Sequence, residues 1–248
     1  MVSAVAAALP PFVAHRFGRA YGPDSSPQAL ERALSQPVGG LETDCCLTAD
    51  DQIALVHDPY LAHAATLDGW IDRTPLATFL DARLRDRDGR VTDQRPLPFE
   101  ALLERVAGLD LTLQLEVKAY TDVELADRTA RRVCALLPDA IRDMVEVISF
   151  WPSACAIAAA EGLRTRVIVA CPYAPEALAA WAGEHAVSGV ILEAPYWSWP
   201  VVERWRAADL SIMCGAVNDA ELVRRVLPFA PDLVSTDRPH ELAAELRA

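Results

Sequence analysis

Apolar, β-branched runs alternate along this chain with stretches rich in Ala, Leu, Glu and Arg. The alternation predicts strands near 11–16, 39–47, 112–118, 144–150, 166–171, 189–193, 210–216 and 232–236. Helices are expected between them, near 27–36, 98–107, 122–137, 152–161, 175–184, 199–208 and 219–228, with a last one at 239–247. Ser26 as N-cap with Pro27 at the first helical position marks the first helix start. The strands read as continuous hydrophobic runs, the pattern of a parallel sheet covered on both faces. Eight strands alternating with helices over 248 residues is the rhythm of an α/β fold of the (β/α)8 TIM-barrel type. The rhythm breaks once, between His57 and Leu111, where LDGWIDRTPLATF is followed by the polar DARLRDRDGRVTDQRP. A connection of this length carries small elements or a function of its own. It holds too few apolar residues for a second core. The expected organisation is one barrel over 1–248 with an insertion, 59–110, at the barrel mouth.

Charged residues interrupt four of the strand-like runs: His15-Arg16 in PFVAHR, Glu42-Thr43-Asp44 in GGLETDCCL, His57-Asp58 in IALVHD and Glu116-Val117-Lys118 in LTLQLEVK. Charged side chains are rarely buried without a partner or a metal. Residues i and i+2 of a strand share a face, so Glu42 sides with Asp44, and Glu116 with Lys118. His15-Arg16, Glu42/Asp44, Glu116/Lys118 and Ser235-Thr236-Asp237 fall late in their strands, and barrels of this kind carry their active sites at that end. Three carboxylates form an oxygen-rich site suited to a hard divalent cation, Mg²⁺ or Ca²⁺, with Mn²⁺ a further candidate. Arg16 offers a planar fork for phosphate oxygens and Lys118 a point charge. His15 and His57 can act as base and acid near neutral pH. The competing reading, buried salt bridges alone, leaves Glu42 and Asp44 repelling each other on one face. His63, His185 and His240 fall outside this set and read as ordinary surface or loop residues, and Asp58 reads as orienting the His57 loop.

Composition narrows the partners. A formal net charge of −12 argues against a nucleic-acid backbone, which demands clustered Lys and Arg, but leaves room for a small phosphorylated molecule. The six cysteines show no metal-ligand spacing and read as buried free thiols in a reducing compartment. MVSAVAAALPPF has no basic n-region and runs into the first strand, so neither a signal peptide nor a membrane span is expected, and a cytoplasmic location follows.

Taken in order, His15-Arg16, Glu42-x-Asp44, His57-Asp58 and Glu116-x-Lys118 resemble the glycerophosphodiester phosphodiesterase family. That family shows His-Arg-Gly, then Glu-x-Asp about 25 residues on, His-Asp after a short hairpin, and Glu-x-Lys on the next long strand. Ser149-Phe150, Val217-Asn218-Asp219 and Ser235-Thr236-Asp237-Arg238-Pro239 extend the resemblance over nearly the whole chain. It implies a (β/α)8 barrel with the cation on Glu42, Asp44 and Glu116, His15 and His57 as the acid–base pair, and Arg16 on the phosphate. The implied reaction is hydrolysis of a glycerophosphodiester to glycerol 3-phosphate and an alcohol. Attack by a substrate hydroxyl to give a cyclic phosphate, a phospholipase D-like reaction of the same superfamily, and a weakly active phosphodiester-binding barrel are the alternatives. Metal hydrolases of amides or sugars generally need more His ligands, or paired acids without a phosphate-directed Arg and Lys.

Three positions depart from the family pattern. Phe17 stands where glycine follows His-Arg, Pro23-Asp24-Ser25-Ser26 replaces Pro-Glu-Asn-Thr, and Gly215 occupies the place of a tryptophan. Tyr196, Trp197 and Trp199 follow the sixth strand, either as a substrate lip with Phe17 and Gly215 or as a helix-packing cluster. With a ring deleted at Gly215, the pocket is expected to favour leaving groups bulkier than ethanolamine or glycerol.

Overall fold

The chain is described by a computed structural model over residues 9–172 and 174–248. Eight parallel strands close on themselves: β1 (Phe12–Ala14), β2 (Gly40–Leu47), β4 (Thr112–Val117), β5 (Val145–Ser149), β6 (Arg164–Val169), β7 (Gly189–Leu192), β8 (Ser211–Cys214) and β9 (Leu233–Thr236). Closure comes from β1, which pairs in parallel with β2 on one side and β9 on the other. The ninth strand, β3 (Ile53–Leu55), folds back antiparallel on β2 as a hairpin that carries His57 beyond its end. The helices are α1 (Pro27–Ala33), α2 (Leu76–Leu80), α3 (Phe99–Val106), α4 (Val123–Leu136), α5 (Pro152–Ala160), α6 (Pro175–Glu184), α7 (Trp199–Ala207), α8 (Ala220–Val226) and α9 (Pro239–Arg247). Among the described residues, no helix is long and apolar enough to cross a membrane. Residues 1–8 of the N-terminal stretch read above lie outside the described residues.

The helix starts follow local chemistry. Ser26 Oγ accepts the Ala29 amide and Pro27 opens α1, while the Asp122 side chain accepts the Glu124 and Leu125 amides at the head of α4. Along α4, Ala126, Thr129, Ala130, Val133 and Cys134 recur at three- and four-residue spacing and form its buried stripe. Outward-facing strand residues such as Leu41, Leu113, Leu115, Val145 and Val147 meet α1, α3 and α4 in one core. Fully burying a side chain of this size stabilises the fold by ~1.5–3 kcal/mol. The other half of the ring is closed by Val190, Leu192, Ile212 and Cys214 against Trp205 of α7 and Val223 of α8.

The structure differs from the sequence reading in three places. The first strand stops at Ala14, and His15–Phe17 form a 3-10 turn, with Arg16 and Phe17 at φ of 50° and 62°. The range expected as an insertion divides: α3 belongs to the barrel ring, through Phe99, Leu102, Leu103 and Val106. The segment before it, with α2 and several short turns, packs a satellite cluster of Leu61, Ala65, Ile71, Phe79 and Ala82 against the β2–β3 hairpin. The strands are also not uniformly apolar. Inside the barrel, Gln114 donates to Glu146 at 2.6 Å, and Glu146 pairs with Arg166 at 2.9 Å. The described cysteines are free thiols, all buried except the half-buried Cys171.

Candidate active site

Strand phase and register assemble the site. On β2, Glu42 and Asp44 face the lumen while Thr43 faces outward and donates to Ser25 Oγ at 2.8 Å. Parallel register sets Asp44 opposite Glu116 on β4, and Glu42 opposite Gln114. One ligand oxygen from each of Glu42, Asp44 and Glu116 lies within 4.8 Å of the others, and all three side chains are buried. Val13, Ile148, Ile191 and Met213 form an apolar cluster inside the barrel, and the last three line the same cavity as Glu42 and Glu116.

The oxygens of this triad are under-satisfied. Glu42 Oε2 accepts the Arg16 backbone N–H at 2.8 Å, but Glu42 Oε1 is buried with no hydrogen bond. Lys118 Nζ sits 2.6 Å from Glu116 and 3.3 Å from Asp44, and Arg16 Nε lies 3.5 Å from Asp44. Lys118 thus holds Glu116 closely, while both Asp44 oxygens meet only longer ionic contacts and lack an aligned hydrogen bond. Burial and the neighbouring carboxylates push Glu42 well above the usual carboxylate range. Glu116 rises to about 7, from burial first and Asp44 second. Asp44 moves the other way, because Lys118, Arg16 and both imidazoles outweigh its own burial. The two cations are held firmly charged against their burial, Lys118 by Asp44 and Glu116, Arg16 chiefly by Asp44 and Asp24. With all three carboxylates ionised, the two cations leave one negative charge in excess. A divalent cation on the orphaned oxygens would turn this into one positive charge, matching a phosphodiester monoanion. The residues fit a hard cation.

Each imidazole is oriented by its own carboxylate. His15 Nδ1 lies 2.7 Å from Asp237, and His57 Nδ1 lies 2.9 Å from Asp58. A carboxylate can only accept, so both rings donate from Nδ1 and turn Nε2 to the site. His15 Nε2 is 3.9 Å from Glu42. Burial opposes the negative charge of Asp237, but its bonds from His15 and Asn218 hold it below the usual range. Asp58 is lowered by its His57 bond. Asn218 clamps Asp237 from both sides, donating to its carboxylate at 2.7 Å and accepting its backbone N–H at 2.8 Å. Asp24 bridges two arginines, Arg16 at 2.7 Å and Arg19 at 2.8 Å.

His15, Arg16, Glu42, His57, Glu116, Lys118 and Gly215 line one cavity of about 170 Å³ on the barrel axis. The expected lip does not form around it. Phe17 is fully buried with Tyr21, Leu30 and Phe99 in the core behind the first loop. Trp197 is buried, donates to the Leu192 carbonyl and packs on Phe229, as does Trp199 at 4.7 Å between ring centroids. Tyr196 lies over a shallow apolar shelf with Pro152 and Leu178. Trp197 thus packs into the helix layer, Trp199 lies on Phe229 and stays half-exposed, and neither lines the axial cavity. Gly215 leaves no ring-sized space either, because a Cβ there would stand 2.7 Å from Ser235 Cβ. The mouth is instead flanked by Phe150, whose ring faces Lys118 at 5.7 Å, and by Glu193. Sequence reasoning gave no role to Asp237 or Asn218 although both stand in quoted motifs. Tyr120, whose hydroxyl holds the His57 carbonyl at 2.9 Å, carried no signal at all. Of the other histidines, His185 stacks on Trp181 and His240 on Tyr21, while His63 packs edge-on against Tyr60.

Comparison with known proteins agrees with this geometry. Residues 15–241 match the glycerophosphoryl diester phosphodiesterase family. The chain belongs to that family. It is therefore an enzyme of the phosphoric diester hydrolase class. No curated protein sequence matches it. An Oleispira antarctica phosphodiesterase, solved with its product sn-glycerol-3-phosphate, superposes with a TM-score of 0.83 at 22% identity, covering 97% of this chain and 98% of that one. A glycerophosphodiester phosphodiesterase from Parabacteroides distasonis gives 0.79 at 21%, with 96% of each chain covered. One from Thermotoga maritima gives 0.77 at 19%, covering 97% and 99%. At these identities the likeness shows a shared barrel fold.

Proposed function

We propose that the chain hydrolyses a glycerophosphodiester to glycerol 3-phosphate and an alcohol, with His15 and His57 as the acid–base pair. The observation that carries this is two imidazoles, each anchored at Nδ1 by a carboxylate, on the same small cavity as an under-satisfied acidic triad. Glu42, Asp44 and Glu116 would hold the divalent cation. When bound, that cation supplies Lewis-acid stabilisation of charge on the phosphoryl oxygens. The N–H groups of Arg16 not spent on Asp24 and Asp44 orient the phosphate, and Lys118 adds positive charge beside it. One imidazole takes the proton of the attacking water at Nε2 as the new P–O bond forms. The other gives its Nε2 proton to the leaving alkoxide as the old P–O bond breaks. After one turnover the two rings have exchanged protonation states, and solvent resets them. Of the two we assign His57, half-buried next to Asp58, to the leaving group, and His15, beside Glu42, to the attacking oxygen.

The test is turnover of glycerophosphoethanolamine and glycerophosphoglycerol with added Mg²⁺, Ca²⁺ or Mn²⁺, followed by ³¹P spectroscopy. Glycerol 3-phosphate should appear as the first phosphorus product in step with free alcohol. A cyclic phosphate as the first product would replace hydrolysis by internal cyclisation. No turnover with any of the three cations would overturn the assignment.

A further inference from the structure

A second and larger cavity, of about 380 Å³, opens on the other side of His57. Its walls are the first loop, through Arg19 and Asp24, the His57-Asp58 turn, and a hairpin whose Arg85 pairs with Val91. That hairpin is built rather than loose. The Asp86 carboxylate accepts the Asp88 and Arg90 amides at 3.0 and 2.9 Å, and Arg85 donates to the Ala65 and Gly89 carbonyls. Arg87 is left at the tip, exposed and making no ion pair with the described residues.

Resting on the hydrolase reading above, we propose that this side cavity is the leaving-group subsite and that it selects a neutral, polyhydroxylated alcohol. Position gives the first half. His57 is common to both cavities, so a diester whose phosphate lies on the barrel axis and whose leaving oxygen meets His57 sends its alcohol into the side cavity. Chemistry gives the second half. Arg19, Arg85 and Arg87 are matched by Asp24, Asp58 and Asp86, so the charged part of the wall carries no net charge, with Leu55, Val56 and Leu84 as apolar surface for the carbons of a polyol. No Phe, Tyr or Trp lines it, whereas a quaternary ammonium such as choline is recognised by the faces of those rings. An acyl chain would strip water from the charged side chains of this wall, Arg87 above all, and give them no hydrogen bond in return. At ~30 Å³ per water the space holds about a dozen waters, enough for a six-carbon polyol.

The test compares kcat/KM for glycerophosphoinositol, glycerophosphoglycerol, glycerophosphocholine and the methyl diester of glycerol phosphate. Wild type should prefer the two polyols over choline by about tenfold or more, the scale of a few hydrogen bonds made to substrate hydroxyls. Arg87→Ala, and Ala62→Trp to fill the space, should each raise KM for the polyol diesters about fivefold or more and leave the methyl diester within twofold. Arg87 is a surface residue, so its variant reports even where Ala62→Trp folds poorly. Equal effects on all four substrates, or none, would show that the alcohol leaves by another route. Failure of wild type on every diester would instead remove the hydrolase reading itself.

Discussion

Phe17 shows how one residue can satisfy a backbone meant for glycine. Its φ of 62° lies in the left-handed region, which costs a non-glycine residue ~1–2 kcal/mol. Full burial of the ring against Tyr21 and Leu30 outweighs that cost. Phe17→Gly should therefore destabilise the protein by about 2–4 kcal/mol in denaturant titration, the loss of a large buried side chain less the relieved strain. A variant as stable as wild type would show the ring to be dispensable. The Asn218–Asp237–His15 chain makes a second residue-scale prediction. Asp237→Ala should lower kcat at least ~10-fold while Asp58→Ala does the same through His57, each with KM little changed. Unchanged kcat in either variant would mean that the ring it anchors needs no orienter. The catalytic-looking residues were legible because charges in phase on apolar strands are conspicuous. Their orienters were not, because the His15–Asp237 contact spans 222 positions and exists only once the barrel closes.

At the scale of elements, the strand and helix positions followed from apolar periodicity, and most boundaries fall within two residues of the pattern. The pattern misled where side chains turn inward. Gln114, Glu146 and Arg166 sit inside the barrel, where alternation within an apparently apolar run hides a buried polar layer. The Glu146–Arg166 pair is buried on both sides, so breaking it is costlier than removing it. Glu146→Leu should destabilise by about 3–5 kcal/mol, and adding Arg166→Met should restore most of the loss. Equal stability of the single and double variants, read from denaturation midpoints at constant m-value, would show that the two charges do not depend on each other. The hairpin 85–91 was unreadable for a different reason. Its order comes from Asp86 and Arg85 bonding to backbone groups, which leaves no hydrophobic period behind.

At the scale of the whole molecule, the acidic triad is expected to tie stability to pH and, through the proposed site, to a divalent cation. Glu116 titrates near 4.5 when unfolded and about 7 when folded, from its burial and from Asp44. The folded state binds this proton more tightly, so its contribution is complete below about pH 4.5 and is lost as pH rises through 7. Glu42 is shifted in the same direction. Asp44, Asp58 and Asp237 shift downward and have made their contribution before pH 5, so among the shifted carboxylates of the site only the raised pair acts between 5 and 8. In chelator, stability should fall by roughly 2–3 kcal/mol between pH 5 and pH 8 on account of Glu116. Saturating Mg²⁺, Ca²⁺ or Mn²⁺ should shrink that fall, because a cation on the deprotonated triad replaces the lost protons. A chelator-treated protein equally stable at both pH values, and indifferent to added cation, would mean that these carboxylates are satisfied without one.

The central claim is that His15 and His57 work as one unit upon a phosphodiester in the axial cavity. Its most direct test is kcat for His15→Ala, His57→Ala and the double variant, with one glycerophosphodiester under saturating cation. Each single substitution should cost at least ~10²-fold, and the double variant should be little worse than either, because removing one proton-transfer partner already disables the other. Near-normal turnover in either single variant, or a double variant whose loss is the full product of the two, would contradict the account.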